Sequence, residues 1–539
     1  MKIVDCNKLV SSNYEKYSFD FCIIGAGIAG VILADQLLDK FNIAIIESGD
    51  FSINQKAQEL NELTISGNPI RKNFQNRIRQ YGGACNLWAG RSLIFNEIDL
   101  KNRSWINNSG WPISMEELNH YYSKLHKKYG MVDFDMFSNT HDDFDNSLYA
   151  DIFKFDDFDS DKAVWTEKIA RFGDKSKTFK RLNKSHNVVL FKNATVQKLC
   201  DIGSRINSCR VVSSKNNTLI NIQANCFIIA AGGIENARIL LSSRDQHSVG
   251  IGNKYDNVGR YYMDHPSHIR KNIKLNKRIY HSSLFQKPIK GGRFKNIIRF
   301  NDAFQEKHQL TNNHIEFSPQ YPESYENAFS STVQMAKILL RKGSGTASRF
   351  DFSQVKISKI PEIIYLLSPS EIIPHLINRL YYQANVAMNR PINSNNLVVS
   401  HHMEQVPNRD SRVSLIHTKN YLNINKTNLN WIVGSKERET ADMLENKIIE
   451  VLKKSDWIDK DVEYKKIDAF NDASHHMGTT RISLSPKGGV VDHNCQVHNV
   501  DNLFIAGSSV FPTSGSANPT YTIAALTLRL SKYLRVKYA

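Results

Sequence analysis

The sequence of 539 residues lacks the features that mark membrane-spanning, secreted and fibrous chains. It has no run of about 18 uncharged apolar residues, so we expect no transmembrane helix and no integral membrane association. Residues 1–21 carry acidic and basic side chains and no apolar core, so we also expect no signal peptide. Glycine and proline number only 27 and 14, which excludes collagen-like and low-complexity chains.

The sequence has few cysteines, and it has fewer acidic than basic residues. The seven cysteines are odd in number and scattered, which argues against a disulfide framework and against a zinc site. Such usage is typical of a reducing compartment, so we predict a cytoplasmic protein without a bound metal.

Lys and Arg outnumber Asp and Glu by 70 to 53, a formal net charge of +17. Because the basic residues are spread out and form no nucleic-acid-binding motif, we expect no nucleic-acid partner; an anionic substrate stays open.

The strongest positive signal is a glycine-rich turn near the amino terminus. Residues 20–24 form a short apolar run typical of a buried strand, and Gly-Ala-Gly-Ile-Ala-Gly follows at residues 25–30. Residues 31–38 continue as an apolar helix, and residues 42–46 form a second buried strand that ends at Glu47. This order of strand, glycine turn, helix, strand and acid predicts a dinucleotide-binding βαβ unit.

Each glycine of this turn has a mechanical role. Gly25 makes the tight turn, Gly27 lets the backbone approach a pyrophosphate, and Gly30 permits close packing of helix on strand. The pyrophosphate would rest on the amino terminus of the helix, where unpaired N–H groups favour negative charge. Glu47 can accept hydrogen bonds from an adenosine ribose, and an acid at this position disfavours the 2′-phosphate of NADP.

Further segments indicate that the nucleotide fold is assembled from separate parts of the chain. Residues 81–90 form a second glycine cluster, a loop that can lie against a flat ring. A strand begins at residues 193–196, and residues 226–233 form another buried strand that ends in small residues before a helix at 234–241. Polar and apolar residues mix at short spacing in segments that we predict to be antiparallel strands of a second sheet: 267–275, 293–300, 313–318, 397–405 and 411–417. Short helices are predicted within residues 330–390, in a lid region that spans 300–390.

The carboxy-terminal region carries the residues best suited to catalysis. His475 and His476 precede a glycine turn at Gly478. Pro519 opens a predicted helix that continues over 520–534, and its missing N–H costs nothing at that position. Asn518 is therefore expected either to cap this helix or to point a side chain from its mouth.

Motifs in this order resemble the glucose–methanol–choline (GMC) oxidoreductase family of flavoenzymes, which oxidise alcohols. They are the turn at 25–30, Gly82-Gly83, residues 230–235, Gly259-Arg260-Tyr261 and the carboxy-terminal motif that ends in Asn518-Pro519. The His-x-Met-Gly form of residues 475–478 and the Gly-Ser-Ala-Asn-Pro-Thr sequence of residues 515–520 look most like the pyranose 2-oxidase branch.

The resemblance implies a fold of class α/β plus α+β, with a Rossmann-like FAD-binding domain and a second substrate domain built on an antiparallel sheet. The FAD-binding domain would be discontinuous and comprise residues 1–110, 186–266 and 466–539. The substrate-binding and lid domain would comprise residues 111–185 and 267–465. FAD is implied rather than NAD, and the residues expected to bind it are Gly25, Gly27, Ile28, Ala29, Gly30, Glu47, Ser48, Gly82, Gly83, Asn86, Leu87, Trp88, Val196, Ala231, Gly232, Gly507, Ser508, Pro519 and Thr520.

The resemblance also implies the catalytic residues. His475 matches the catalytic histidine of the family, and Asn518 matches its partner position, which is His in some members and Asn in others. His476 is one step out of register and is interpreted as a neighbour, and His265 is interpreted as structural. A base of near-neutral pKa suits removal of a hydroxyl proton while the carbon-bound hydride passes to flavin N5, and a neutral amide can hold the same hydroxyl in place.

One departure from the family predicts how the flavin is held. Relatives that attach flavin covalently use a histidine one residue before the position of Trp88, where this chain has Leu87. We therefore expect non-covalent FAD, with Cys85 as a weaker alternative attachment point. The expected function is oxidation of a sugar, polyol or hydroxylated metabolite to a carbonyl, with oxygen, a quinone or a protein as electron acceptor. A non-redox lyase and a substrate-binding protein on the same scaffold are the alternatives.

Overall fold

The computed structural model describes residues 1–9, 16–71, 76–137, 148–166, 172–215, 217–277, 279–280, 287–289, 292–320, 391–392 and 396–539. The helices expected at 330–390 lie outside these ranges, as does most of the lid region predicted at 300–390. Within the described ranges, no helix combines the length and apolar character needed to cross a membrane.

Strands and helices of the described ranges are numbered in chain order. The strands are β1 (Lys2–Asp5), β2 (Lys16–Ile24), β3 (Ile43–Ile46), β4 (Leu63–Ile65), β5 (Arg91–Ser92), β6 (Phe158–Thr166), β7 (Val188–Lys192), β8 (Ala194–Ile202), β9 (Arg205–Ser213), β10 (Leu219–Ile229), β11 (Ser267–Lys274), β12 (Ile279–Tyr280), β13 (Lys287–Ile289), β14 (Gly292–Phe300), β15 (His314–Pro319), β16 (Pro391–Ile392), β17 (Asn396–His402), β18 (Arg412–Lys419), β19 (Asn425–Asn430) and β20 (Leu503–Ile505). The helices are α1 (Ile28–Leu37), α2 (Gln55–Glu59), α3 (Glu97–Leu100), α4 (Met115–Tyr129), α5 (Leu148–Phe153), α6 (Lys177–Lys184), α7 (Glu235–Ser242), α8 (Asp302–His308), α9 (Ser435–Lys454) and α10 (Pro519–Lys537).

In the described part of the chain, the largest sheet has eight strands in the order β1-β7-β3-β2-β10-β9-β8, with β20 also paired to β10. The strands from β1 to β10 in this order, and β20, run parallel to their neighbours, whereas β9 and β8 are antiparallel. Because α1 joins the parallel neighbours β2 and β3, the predicted βαβ unit is confirmed. All eight strands come from the three segments predicted for the nucleotide domain, although the domain boundaries themselves stay a prediction.

The parallel strands bring four separate loops to one edge of this sheet. β2 ends at Ile24 before the first glycine turn, and β3 ends at Ile46 before Glu47. β10 ends at Ile229, and β20 ends at Ile505. In open α/β sheets, ligands bind outside the carboxyl ends of the strands, so this edge is where a cofactor site is expected.

The second sheet has seven strands within the described ranges, in the order β11-β17-β15-β14-β6-β5, with β13 paired to β14. All of its pairs are antiparallel, as predicted. One assignment was wrong: the strand predicted at 411–417 is β18, which belongs to a separate three-stranded sheet with β19 and β4. The alternation of side chains reveals a strand but not its partner, and β18 pairs with the hairpin neighbour β19 rather than with β17.

Two hydrophobic clusters hold the sheets in place. The larger one contains the inner residues of the eight-stranded sheet, such as Ile23, Ile45 and Phe504, together with residues of α1, α4 and α10. The second cluster packs α9 and α5 against the antiparallel sheet through residues such as Ile298 and Leu444. Burial of apolar surface on this scale is the main stabilising contribution to the fold, and it fixes the loops at the sheet edge.

Candidate active site

A cavity of about 530 Å³ lies at the carboxyl ends of β2, β3, β10 and β20. This volume is within the usual range of ligand pockets. Most residues predicted to bind a cofactor line its wall together with His475, and these are Gly25, Gly27, Ile28, Ala29, Glu47, Ser48, Gly83, Leu87, Trp88, Val196, Ala231, Gly232, Gly507, Ser508, Pro519 and Thr520. One space therefore joins the amino-terminal glycine turn to the carboxy-terminal motif.

Three other predicted residues, Gly30, Gly82 and Asn86, are not part of this wall. A β-carbon at Gly30 would lie 1.9 Å from the carbonyl oxygen of Gly25, so Gly30 allows α1 to pack on the turn. Gly82 has a φ of 93°, a left-handed conformation that favours glycine. The Asn86 amide donates to the carbonyl oxygen of Tyr81 at 2.9 Å. These three residues shape the loops behind the wall, and their contact with a cofactor stays a prediction.

The wall has open space beside Gly27, at the start of α1. A β-carbon built there would meet no heavy atom within 4 Å. The φ of Gly27 is −73°, which any residue adopts, so its own backbone does not require glycine. Gly27 is also the N-cap of α1, whose first N–H groups have no partners within the helix. This combination fits an anionic phosphate group of a dinucleotide.

Glu47 fixes the same turn and faces the cavity. Its carboxylate accepts the backbone N–H of Ala26 at 3.0 Å and that of Gly49 at 2.8 Å. Burial raises the pKa of Glu47, partly offset by these backbone donors. Carboxylate oxygens can accept more than one hydrogen bond each, so Glu47 fits the predicted contact with a ribose hydroxyl while it holds the turn.

Charged side chains that the sequence interpretation missed also line the cavity. Among the residues that the structure describes, the wall has four arginines against two glutamates, a formal excess of two positive charges: Arg71, Arg77, Arg79 and Arg238 against Glu47 and Glu235. Arg79 and Arg238 both bind Glu235, at 2.9 and 3.1 Å. Burial opposes ionisation of Glu235, but the two arginines outweigh it and lower its pKa to about 2. The sequence pattern did not indicate these residues, because they come from separate segments of the chain that meet only in the folded protein. Their excess of positive charge fits an anionic ligand.

The two predicted catalytic residues meet. Asn518 precedes α10 and its side chain makes no capping bond, so the side chain points from the mouth of the helix. Its amide nitrogen lies 3.2 Å from Nε2 of His475. Its amide oxygen accepts from Nη1 of Arg91 at 3.3 Å. Arg91 lies on β5 and was missed by the sequence interpretation, since its contact with Asn518 forms only where β5 passes α10.

His265 contacts the other side of the His475 ring. The Nδ1 atoms of the two histidines are 2.8 Å apart, and the rings meet edge to face. The remaining ring nitrogen of His265, Nε2, lies 3.3 Å from the carbonyl oxygen of Ser514. The sequence interpretation singled out His265 as structural and missed this contact, although its place in Met-Asp-His-Pro was a usable signal.

The electrostatic surroundings favour a neutral His475. Burial is the largest influence and lowers its pKa well below the usual value, and the nearby His265, His402 and Arg91 act in the same direction. A neutral imidazole has a lone pair on one ring nitrogen, which can accept a proton. His475 is therefore in the protonation state that a general base requires near neutral pH.

His476 also lines the cavity but is held differently. Its Nδ1 lies 2.7 Å from the hydroxyl oxygen of Tyr262. Burial lowers its pKa to about 3, helped by Arg77. His476 thus lies on the cavity wall and contacts Tyr262, and its interpretation as a neighbour of the catalytic residues stays a prediction.

The loop at residues 82–90 forms another part of the wall. Leu87 is 41% exposed and lies on the cavity wall next to Trp88. Trp88 is fixed by its indole N–H, which donates to the carbonyl oxygen of Arg91 at 3.0 Å. Burial raises the pKa of Cys85 to about 12, so this thiol stays protonated near neutral pH. A protonated thiol is a poor nucleophile.

The chain is similar to known proteins in sequence and in fold. A family profile described as GMC oxidoreductase matches residues 407–527. Fructose dehydrogenase large subunit from Gluconobacter japonicus is 25% identical over 314 residues, which cover 57% of this chain and 46% of that subunit, so the chain spans about half the length of this relative. Pyranose 2-oxidase from Tricholoma matsutake is 40% identical over 57 residues, which cover 11% of this chain and 10% of that enzyme.

Solved structures share the fold. An FAD-dependent oxidoreductase from Chaetomium thermophilum superposes with a TM-score of 0.56 at 15% identity, and the alignment covers 96% of this chain and 99% of that one. The expected class, a Rossmann-like α/β domain with a second domain on an antiparallel sheet, is confirmed by this likeness and by the two sheets. The profile match assigns residues 407–527 to a GMC oxidoreductase domain, and the relatives and the shared fold make the chain as a whole similar to proteins of that kind.

Proposed function

We propose that this protein oxidises an alcohol to a carbonyl compound with FAD as its cofactor. The observation that carries the proposal is the 3.2 Å contact between Nε2 of His475 and the amide of Asn518, beside the cavity that begins at the Gly25 turn. A base and a neutral hydrogen-bonding group at one point are what removal of a hydroxyl proton requires. FAD, when bound, supplies the acceptor for the hydride that leaves the alcohol carbon.

In this proposal His475 accepts the hydroxyl proton at Nε2. Its lowered pKa keeps that nitrogen free of a proton near neutral pH. A neutral base can therefore take up the proton as the C–H bond breaks. General-base catalysis of this kind contributes about 10²- to 10⁴-fold in rate.

Asn518 orients the alcohol. Its amide nitrogen carries two hydrogens and donates to Nε2 of His475 in the free site. An entering hydroxyl can take the place of that bond by donating to Nε2 and accepting from the Asn518 amide. Arg91 holds the amide oxygen, so the amide nitrogen stays turned toward His475. Fixing the oxygen between two groups limits the motion of the reacting carbon.

The structure supports a dissociable cofactor. Leu87 stands where covalently flavinylated relatives have a histidine, and it offers no nucleophile. Cys85, the alternative attachment point, is buried with a raised pKa. The backbone N–H groups at the start of α1 and the arginines on the wall instead provide non-covalent contacts for a dinucleotide.

The substrate class that we propose is a sugar, a polyol or another hydroxylated metabolite. The similarity to fructose dehydrogenase and pyranose 2-oxidase favours a sugar within that class. The electron acceptor is oxygen, a quinone or a protein. Oxygen consumption, measured against reduction of a quinone or a dye, distinguishes these acceptors.

An anaerobic substrate screen tests the proposal. Purified protein is mixed with sugars, polyols and other alcohols, and the flavin absorbance near 450 nm is followed together with the carbonyl product. We expect at least one alcohol to bleach the flavin and yield one carbonyl per flavin. Product formation without bleaching would support the lyase alternative instead. Absence of both across the panel would support the substrate-binding alternative.

A further inference from the structure

The contact between His265 and His475 joins one ring nitrogen of each residue. Their Nδ1 atoms are 2.8 Å apart, a normal hydrogen-bond distance. A hydrogen bond between two ring nitrogens needs one that carries a hydrogen and one that carries a lone pair. The question is therefore which histidine donates.

The contact of the other ring nitrogen of His265 identifies the donor. Nε2 of His265 lies 3.3 Å from the carbonyl oxygen of Ser514, and a carbonyl can only accept. Nε2 of His265 must therefore carry a hydrogen. Burial lowers the pKa of His265 to about 4, so the ring is neutral near pH 7 and has no second hydrogen. Its Nδ1 is then an acceptor, and Nδ1 of His475 is the donor.

The opposite end of the same chain of contacts requires the same arrangement. Arg91 has only donors, so the group 3.3 Å from its Nη1 must be the amide oxygen of Asn518. The amide nitrogen of Asn518 consequently faces Nε2 of His475 as a donor. With its hydrogen on Nδ1, neutral His475 has the lone pair on Nε2 that this donor needs. Arg91, which can only donate, and the carbonyl of Ser514, which can only accept, thus fix the direction of every hydrogen bond in the chain between them.

The backbone holds the two imidazoles in register. Met263 and Met477 exchange backbone hydrogen bonds of 3.0 and 2.9 Å, which tie together the segments that carry the histidines. Between them, Oδ1 of Asp264 accepts the backbone N–H of His265 at 2.7 Å and that of His475 at 3.0 Å. The contact between the two rings is therefore built into the frame of the site.

We propose that His265 is a positioning residue that holds His475 in the tautomer whose Nε2 is free to accept the substrate proton. The inference rests on the proposed function for its catalytic consequence, but the tautomer itself is a property of the resting protein. His265 is buried and is not part of the cavity wall. It accepts from Nδ1–H of His475 and so keeps the hydrogen off the nitrogen that faces Asn518.

Two substitutions of His265 separate the effect of its hydrogen bond to His475 from the effect of its volume. His265→Leu fills a similar volume and has no acceptor, whereas His265→Asn places an amide oxygen close to the position of Nδ1. We expect the leucine variant to lose about 10²-fold in the rate constant of anaerobic flavin reduction, within the range for a general base that is no longer held. Its substrate dissociation constant should change by less than about threefold. The asparagine variant should recover most of the rate. Equal rates for both variants and the wild type would overturn the proposal.

The resting tautomer is measured independently of turnover. Protein labelled with ¹⁵N-histidine gives ring-nitrogen spectra in which the His475 signals are those absent from His475→Gln. We expect the wild type and His265→Asn at pH 7 to show the hydrogen of His475 on Nδ1. A hydrogen on Nε2, or a charged ring, would overturn the proposal even if the enzyme is active. If the spectrum shows the hydrogen on Nδ1 of His475 but no alcohol in the screen reduces the flavin, the proposed function is contradicted and the proposed tautomer is not. If His265→Leu does not fold, the spectra of the wild type and of His265→Asn still test the proposed tautomer of His475.

Discussion

Nε2 of His475 lies 3.2 Å from the side-chain amide of Asn518, a residue 43 positions further along the chain. The amide presents a donor to the nitrogen that is expected to accept the substrate proton. Its neutrality matters as much as its position, because a neutral group leaves the pKa of the imidazole low. The identity of residue 518 should therefore control the strength of the base as well as the orientation of the alcohol.

Asn518→Asp should block the base near neutral pH. A carboxylate beside Nε2 of His475 favours the charged imidazole and raises the pKa of that ring. We expect the rate of flavin reduction at pH 7 to fall by about 10²-fold and to recover in part as pH rises. Asn518→His, which retains a ring N–H donor, is the matched control and should stay within about tenfold of the wild type. A pH-independent loss in the aspartate variant would contradict this explanation.

The pH profile should reflect the lowered pKa of His475. An unperturbed histidine has a pKa of about 6.5 and is half protonated there. Burial and neighbouring histidines favour the neutral form, so protonation of His475 requires a pH below that value. We expect kcat/KM to hold its pH 7.5 value as pH falls through 6.5 and to decline only in more acidic buffer. Because kcat/KM reports the free enzyme, it is the quantity to measure. A midpoint at or above 6.5 would show that the site does not favour the neutral ring.

Gly27→Ala should weaken FAD binding with little effect on the flavin-free fold. A β-carbon at Gly27 points into open space at a φ of −73°, so only a ligand would meet it. We expect the dissociation constant for FAD to rise at least about tenfold, or about 1.4 kcal/mol, by titration of the apoprotein. The temperature of unfolding without FAD should fall by only a few degrees, since alanine is a much poorer N-cap than glycine but the loss of a favourable cap costs only about 1 kcal/mol.

Gly30→Ala is the contrasting variant of the same turn. Its β-carbon would lie 1.9 Å from the carbonyl oxygen of Gly25, and backbone atoms cannot move aside as a flexible side chain can. We expect a loss of about 3 kcal/mol or more in the free energy of unfolding, with or without FAD. If Gly27→Ala and Gly30→Ala behaved alike in both measurements, the open space at Gly27 would not be a ligand site.

The flavin should leave the polypeptide on denaturation. Leu87 has no nucleophilic atom, and the Cys85 thiol is protonated near neutral pH because burial raises its pKa to about 12. After acid precipitation we expect the yellow colour in the supernatant. Colour that stays in the pellet would contradict non-covalent binding, and loss of that colour in Cys85→Ser would then identify the attachment point.

Sequence predicted the parts of the site that depend on local patterns. The turn at Gly25 and the acid at Glu47 lie within a single βαβ unit, and Glu47 bonds Ala26 only 21 positions away. Pro519 fixes the start of α10, so the placement of Asn518 could also be anticipated. In each of these cases, strand length, glycine spacing or helix capping restricts the backbone enough to place the side chain.

Contacts between distant segments could not be predicted in this way. Arg91 bonds Asn518 across 427 positions, and His265 meets His475 across 210. These pairs form because segments far apart in the sequence meet beside the cavity, and no periodicity in either segment records its partner. The strand predicted at 411–417 shows the same limit: alternation identified β18 as a strand, but its sheet depends on pairing through β19 with β4.

The most direct test of the proposed mechanism replaces His475 itself. Wild type, His475→Ala and the solvent-exposed control His120→Ala are brought to equal flavin content and mixed anaerobically with an alcohol found in the screen. We predict that His475→Ala keeps the flavin spectrum but is reduced about 10²- to 10⁴-fold more slowly, whereas His120→Ala matches the wild type. Reduction of His475→Ala at the wild-type rate would show that another group accepts the proton.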